Sequence, residues 1–221
     1  PVYLWINNRS VEIRSASHLW GKDTIITDEI IKEETSKKTV VASIGSAGEN
    51  KVLLSSVMHD GSHGRAAARG GLGAVMGSKN LKSIAVFGDK NIQVFDIKGL
   101  KDSIKIVAKD MVKNSRGNMD YGTAGYIEAS ETLGDLPIKN WQLRNWPNVK
   151  KISGDELAKF VQSSFHCHSC FVGCGRVVPL KINNSIEKFG GGPEYESVAL
   201  LGSNCLIDDM GKIIKANELC N

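Results

Sequence analysis

The sequence has no apolar run approaching 18 residues, which excludes a membrane-spanning helix. No basic stretch followed by an apolar one opens it, so nothing in it asks for export. Lysine and arginine number 28 against 24 for aspartate and glutamate, and the net charge of +4 is scattered. That excess is too small to argue for a nucleic-acid partner. No internal repeat and no low-complexity tract is visible. Also missing are a G-x4-G-K-[ST] phosphate loop and a G-x-G-x-x-G dinucleotide fingerprint in its strand–helix setting. What remains is ordinary globular material: 221 residues, 41% apolar and 24% charged, enough to bury a core without disulfides. Glycine departs from the ordinary, with 23 residues unevenly placed; that is about 10% against a usual 7%.

The chain opens Pro1-Val2-Tyr3-Leu4-Trp5-Ile6, already strand-like and without an initiator Met, and ends at Asn221 inside a helical pattern. Both ends suggest a stretch of a longer polypeptide. Val2 to Ile6 and Val11 to Arg14 flank Asn7-Asn8 and read as a hairpin. Ala16 to Gly21 reads as a turn. Thr27-Asp28-Glu29 is expected to cap a short helix from Ile30 to Thr35. Thr39 to Ile44 is β-branched and reads as a buried strand, Val52 to Met58 as another apolar segment, and Ser83 to Phe87 as a strand. After Asp96 the texture changes. Ile97, Leu100, Ile104, Val107, Ala108 and Met111 fall at helical spacing. Shorter helices are expected at Ala124–Thr132 and Gly154–Ser163, a buried run at 197–204, and a helix from Met210 to Cys220. The predicted fold class is therefore α+β, with a β-sheet-rich domain over residues 1–92 and the start of a mainly helical domain over 93–221. Trp141 and Trp146 are expected in the core, and His18, His59 and His63 in hydrogen-bonded structural roles.

Three blocks carry chemistry. The first is His166-Cys167-His168-Ser169-Cys170-Phe171-Val172-Gly173-Cys174-Gly175-Arg176. Its C-x2-C-x3-C thiols read as metal ligands rather than disulfides. An iron–sulfur cubane needs a fourth cysteine, from Cys205, Cys220 or beyond residue 221. The zinc reading completes the set with His166 or His168. The second block runs from Gly61 to Asn80, where glycines 61, 64, 70, 71, 73 and 77 sit among Arg65, Arg69, Lys79 and Lys82. It reads equally as a main-chain anion cradle with arginine grip and as a tight surface loop with solvated cations. The third is Gly190-Gly191-Gly192-Pro193-Glu194-Tyr195-Glu196, leading into Ser197 to Asn204. A carboxylate held there in apolar surroundings would serve as an acid or base. The plainer reading is a first helical turn, where glutamate is favoured.

Taken together, the blocks resemble the tungsten-dependent aldehyde:ferredoxin oxidoreductase family. The likeness is close at Arg69-Gly70-Gly71-Leu72-Gly73-Ala74-Val75-Met76-Gly77-Ser78-Lys79-Asn80-Leu81-Lys82, at Gly192-Pro193-Glu194-Tyr195-Glu196, and at Leu201-Gly202-Ser203-Asn204-Cys205 with Ile207-Asp208-Asp209. It extends to Val11 to Gly21 and to Ser43 to Asn50, and it is weakest over 90–160. Leu206 departs from the glycine common there. The resemblance implies an internal stretch of a longer enzyme. That enzyme would oxidise aldehydes to carboxylic acids at a tungsten (or molybdenum) bis-pterin centre and pass electrons through a 4Fe–4S cluster to ferredoxin. It implies Cys167, Cys170 and Cys174 as three cluster ligands with the fourth downstream, and Cys205 and Cys220 as structural. By the same resemblance Arg65, Ala66, Arg69 and Gly70 contact pterin or phosphate, and Asn221 opens a second pterin motif. Glu196 is the acid/base candidate and Mg2+ a further candidate ion. A cytoplasmic homo-oligomer of an anaerobe is expected, inactive if cut to these 221 residues. The alternatives are the same scaffold reducing an aromatic acyl-CoA or a carboxylic acid, and a non-catalytic iron–sulfur or zinc-binding subunit.

Overall fold

Val2–Asn7 (β1) and Ser10–Ser15 (β2) pair antiparallel around a turn in which Asn8 takes φ 55°, the left-handed conformation that asparagine tolerates. This is the hairpin expected from the alternation. It belongs to a computed structural model that describes residues 1–182 and 185–220. Tyr3 and Trp5, two apart on β1, are buried, and the core around them gathers Ala16, Leu19, Ile31, Val41 and Ala85.

Thr24–Glu34 (α1) starts earlier than the expected cap at Thr27. The Asp23 carboxylate accepts from the Ile26 amide at 2.7 Å, and Thr27 turns its hydroxyl back to the Asp23 carbonyl. Asp23 thus caps first. Val40–Ser43 (β3) is followed by the single turn Ser46–Glu49 (α2), then Val57–His59 (β4), Arg65–Ala67 (β5), Leu72–Ser78 (α3) and Leu81–Phe87 (β6). The strands form one mixed sheet, ordered β2-β1-β6-β3-β4-β5, with β1 and β6 parallel. Val52 to Met58 is not an apolar strand throughout: Leu53 and Leu54 are exposed in turns and only Val57 onward pairs.

These elements form a compact unit, Pro1–Gln93; Val94–Cys220 forms a second. The second begins with Ile97–Asn114 (α4), the helix its spacing suggests; the Asp96 side chain caps it, yet none of its residues is buried. Arg116–Tyr121 (α5), a 3-10 turn at Thr123–Tyr126 and Ile127–Leu133 (α6) replace the expected single helix at 124–132. Gly154–Ala158 (α7) stops short of the expected Ser163, because Ser163–Phe165 (β7) joins Gly175–Ile182 (β8) and Ser185–Gly191 (β9) in an antiparallel sheet. Tyr195–Leu201 (α8) and Met210–Cys220 (α9) follow, the latter with the expected bounds. Within 197–204 the burial is helical rather than continuous: Val198, Ala199 and Ser203 are inside, and Leu200 faces out. Trp146 lies in the core with Ile127, Ile152, Leu157, Val178 and Ile213, whereas Trp141 is exposed, contrary to expectation. The fold class is α+β. Among the described residues no helix is long and apolar enough to cross a membrane.

Candidate functional site

The glycine/arginine block divides into two parts. From Leu72 onward its glycines serve packing: a Cβ on Gly77 would strike the Gly48 carbonyl, and one on Gly73 would come within 2.6 Å of the Ser56 carbonyl. Spaced four apart, they set α3 directly against the backbone of α2 and the 55–56 turn. Lys82 is not one of the available cations either. It is completely buried, pairs with the Glu49 carboxylate, and donates to the Lys22 carbonyl at 2.8 Å. Glu49 also accepts from the Gly21 amide at 2.9 and 3.0 Å. A lysine with a carboxylate and a carbonyl around it is a structural pin.

The earlier part of the block faces outward. Asp60, Gly61 and Gly64 all have positive φ, and the chain then runs as β5 against β4, with Met58 opposite Ala66 and His59 opposite Arg65. Ala66, Arg69 and Gly70 are exposed and Arg65 is half-buried. Gly70 has φ 92° with open space where a side chain would stand. β5 ends the sheet order, so Arg65 and the small residues after it lie on an edge strand, and Arg69 stands in the turn that follows. Nearby, burial holds the His63 imidazole below its ordinary range; Arg65 and Lys32 push the same way and Asp60 opposes them.

In the second unit, β7 and β8 close the thiol loop. Phe165 pairs with Gly175 and Ser164 with Arg176, so both ends of 166–174 are held in register. Inside it, the Cys170 amide donates to the Cys167 carbonyl at 3.0 Å. Gly173 has φ 61° and lies against the His166 ring, where any Cβ would collide. His166 Nδ1 meets the Cys170 carbonyl at 3.1 Å, which fixes the ring against the loop. Cys167 is exposed, Cys170 and Cys174 are half-buried, and none of the three is in a disulfide. Among the described residues no three His, Cys, Asp or Glu side chains converge as a metal-ligand group. The loop therefore brings the three thiols together in register but not into one coordination sphere. The donor set still fits a soft metal cluster: thiols alone, on a short glycine-containing loop. Cys205 and Cys220 are both exposed, and the Cys205 thiol donates to the Leu200 carbonyl at 3.3 Å.

Arg176 begins where the loop ends. It is 7% exposed and donates to the carbonyls of Gly173 at 2.5 Å, Gly175 at 3.1 Å and Asp120 at 3.1 Å. Burial pulls its guanidinium below the ordinary arginine range, and Cys174, Glu194 and Asp120 oppose that pull. The sequence reading passed over it; only the pairing of a lone arginine with the last cysteine pointed to it.

Glu196 stands exposed in the first turn of α8. Glu194, its neighbour in the motif, is half-buried and accepts from the Thr123 hydroxyl at 2.6 Å, while that hydroxyl accepts from the Tyr195 amide at 2.8 Å. The pin between Thr123 and Glu194 spans 71 residues and has no local signature. Asn221 lies outside the described residues.

The likeness to known proteins covers both units. The family model described as the aldehyde ferredoxin oxidoreductase N-terminal domain matches residues 1–88, and the one for domains 2 and 3 of the same proteins matches residues 98–221. A tungsten-containing aldehyde ferredoxin oxidoreductase of Pyrococcus furiosus is 42% identical over all of this chain and 36% of its own length. The protein of that description from Thermococcus kodakarensis is 41% identical over the same shares. A Pyrococcus furiosus aliphatic sulfonate oxidoreductase, WOR-like subunit, is 31% identical over 99% of this chain and 37% of its own. Among solved structures, the active site complex BamBC of benzoyl coenzyme A reductase superposes with a TM-score of 0.77 at 25% identity, over 99% of this chain and 34% of that one. The chain spans about a third of the length of the curated relatives it matches.

Proposed function

The chain belongs to the aldehyde ferredoxin oxidoreductase family, and from that premise we propose that it is part of an enzyme oxidising aldehydes to carboxylic acids with ferredoxin as electron acceptor. The observation that carries this reading is the 42% identity to tungsten-containing members along the whole chain. The balance is one aldehyde and one water giving one acid, two protons and two electrons, which two ferredoxins accept singly. A tungsten (or molybdenum) bis-pterin, when bound, supplies the two-electron oxidation and the oxygen transfer, and a 4Fe–4S cluster the single-electron exit.

The residues of this chain take the supporting parts. Arg65 and Arg69 bind pterin phosphate through their guanidinium groups, and Ala66 and Gly70 let the ring system approach the backbone. Cys167, Cys170 and Cys174 furnish three thiolates, and a cysteine elsewhere in the polypeptide the fourth. Glu196 takes the proton released during aldehyde oxidation. A cytoplasmic setting in an anaerobe, a homo-oligomeric assembly and a bound Mg2+ complete the reading.

Metal analysis of the anaerobically purified full-length protein, followed by an aldehyde-dependent viologen assay, tests it. Tungsten with about four iron atoms per chain is expected, together with viologen reduction. Zinc alone, or neither metal, overturns it. Glu196→Gln is expected to lower turnover by about 10²- to 10⁴-fold with the metals retained. The segment 1–221 alone should be inactive. A second reading is supported by the superposition on the benzoyl coenzyme A reductase complex: the same scaffold reducing an aromatic acyl-CoA. Oxidation of reduced viologen by benzoyl-CoA, with no response to aldehydes, would favour it.

A further inference from the structure

A buried arginine needs a reason. Guanidinium stays charged at any pH a protein meets, and an unmatched charge in a protein interior is costly. Arg176 is nonetheless 7% exposed. Its three carbonyl partners orient the fork, and the Cys174, Glu194 and Asp120 side chains act on its charge from nearby. Two of those carbonyls, Gly173 and Gly175, flank Cys174 in the chain, so the fork holds the backbone on both sides of the last cysteine. The third, Asp120, ties the same fork to α5. The main chain of Arg176 is fixed as well, since its carbonyl accepts from the Gly192 amide at 2.7 Å and it lies opposite Ser164 in the sheet. Gly122, just past α5, lies so close that a Cβ there would come within 2.7 Å of the Cys174 carbonyl and 3.4 Å of the guanidinium. The cation is therefore clamped from several sides and cannot swing out to solvent.

We infer that Arg176 is the fixed counter-cation and brace of the thiol loop, a positioning residue that raises the reduction potential of the iron–sulfur cluster bound there and slows its loss. The inference rests on the cluster assignment made above. The physical basis is simple. Reduction adds one negative charge to a cluster already held by thiolates, and a buried cation beside Cys174 stabilises the reduced form more than the oxidised one. The fork acts separately from the charge: by holding the Gly173 and Gly175 carbonyls it fixes the backbone that presents Cys174.

Two variants of the full-length protein, prepared anaerobically, separate the parts. Arg176→Gln removes the charge, and potentiometry followed by electron paramagnetic resonance, with dithionite as reductant, should show a more negative midpoint than wild type. Arg176→Lys keeps the charge and loses the fork. Its midpoint should stay near wild type, while iron release to a chelator should run about tenfold faster, as expected when hydrogen bonds from a charged group are lost. An unchanged midpoint in Arg176→Gln overturns the electrostatic role, and wild-type iron release in Arg176→Lys overturns the brace. If Arg176→Gln fails to fold by circular dichroism, Arg176→Lys decides alone, and a midpoint clearly more negative than wild type in that variant would count against the inference. Wild-type protein without a cluster signal is a different failure, that of the cluster assignment itself.

Discussion

Lys82 and Arg176 are both buried cations, one in each unit, and their surroundings differ in kind. Lys82 meets a carboxylate, Glu49, and that carboxylate is itself held by the Gly21 amide. The charge is answered within the unit. Arg176 meets main-chain carbonyls at the end of the thiol loop, with the Cys174, Glu194 and Asp120 side chains acting on its charge. A cation whose countercharge comes from its own chain serves the fold. One that holds the main chain on either side of a cysteine ties its position to the thiol loop. The contrast separates a pin from a site without appeal to either motif.

Breaking the pin should give the largest effect. Lys82→Met leaves Glu49 buried without its cation and should cost about 3–5 kcal/mol, read as a lowered denaturation midpoint of the full-length protein with loss of structure beginning in residues 1–93. Gly77→Ala attacks the same unit through packing alone. The added methyl must displace the Gly48 carbonyl, and about 1–3 kcal/mol of destabilisation is expected by the same measurement. In the second unit, Thr123→Val leaves the Glu194 carboxylate and the Tyr195 amide without the shared hydroxyl; about 1–2 kcal/mol should be lost. Hydrogen exchange should locate that loss at the start of α8.

The smallest effect concerns pH. The folded-state pKa of His63 lies below its ordinary 6.5, so the unfolded chain binds the proton more readily. Its contribution is fully present above about pH 6.5 and fades as pH falls toward the depressed folded value. Unfolding followed from pH 7.5 to 5 should show this decline in wild type and a flatter profile in His63→Gln. An equally steep profile in the variant would assign the decline elsewhere.

Local signals in the sequence were reliable where the physics is local. The Val2–Asn7 hairpin follows from alternation around Asn7-Asn8, and the helix at Met210–Cys220 from its periodicity. What the sequence concealed lies in long-range partners. Gly77 looks like part of a ligand cradle until Gly48 is seen against it. Lys82 looks like a phosphate-binding cation until Glu49, 33 residues away, is seen to use it. Arg176 carries no visible role until Asp120, 56 residues earlier, comes alongside. Ser163 reads as the end of a helix because three residues of strand are recognisable only by their pairing with β8. Of the candidate site, the residue types and spacing of the thiol loop were plain, but the fixing of the His166 ring and the difference between Glu194 and Glu196 depend on contacts that no spacing encodes.

The pairing of Phe165 with Gly175 rests on main-chain hydrogen bonds and asks nothing of iron or sulfide. The sheet alone thus sets both ends of the loop, whatever the three thiols hold.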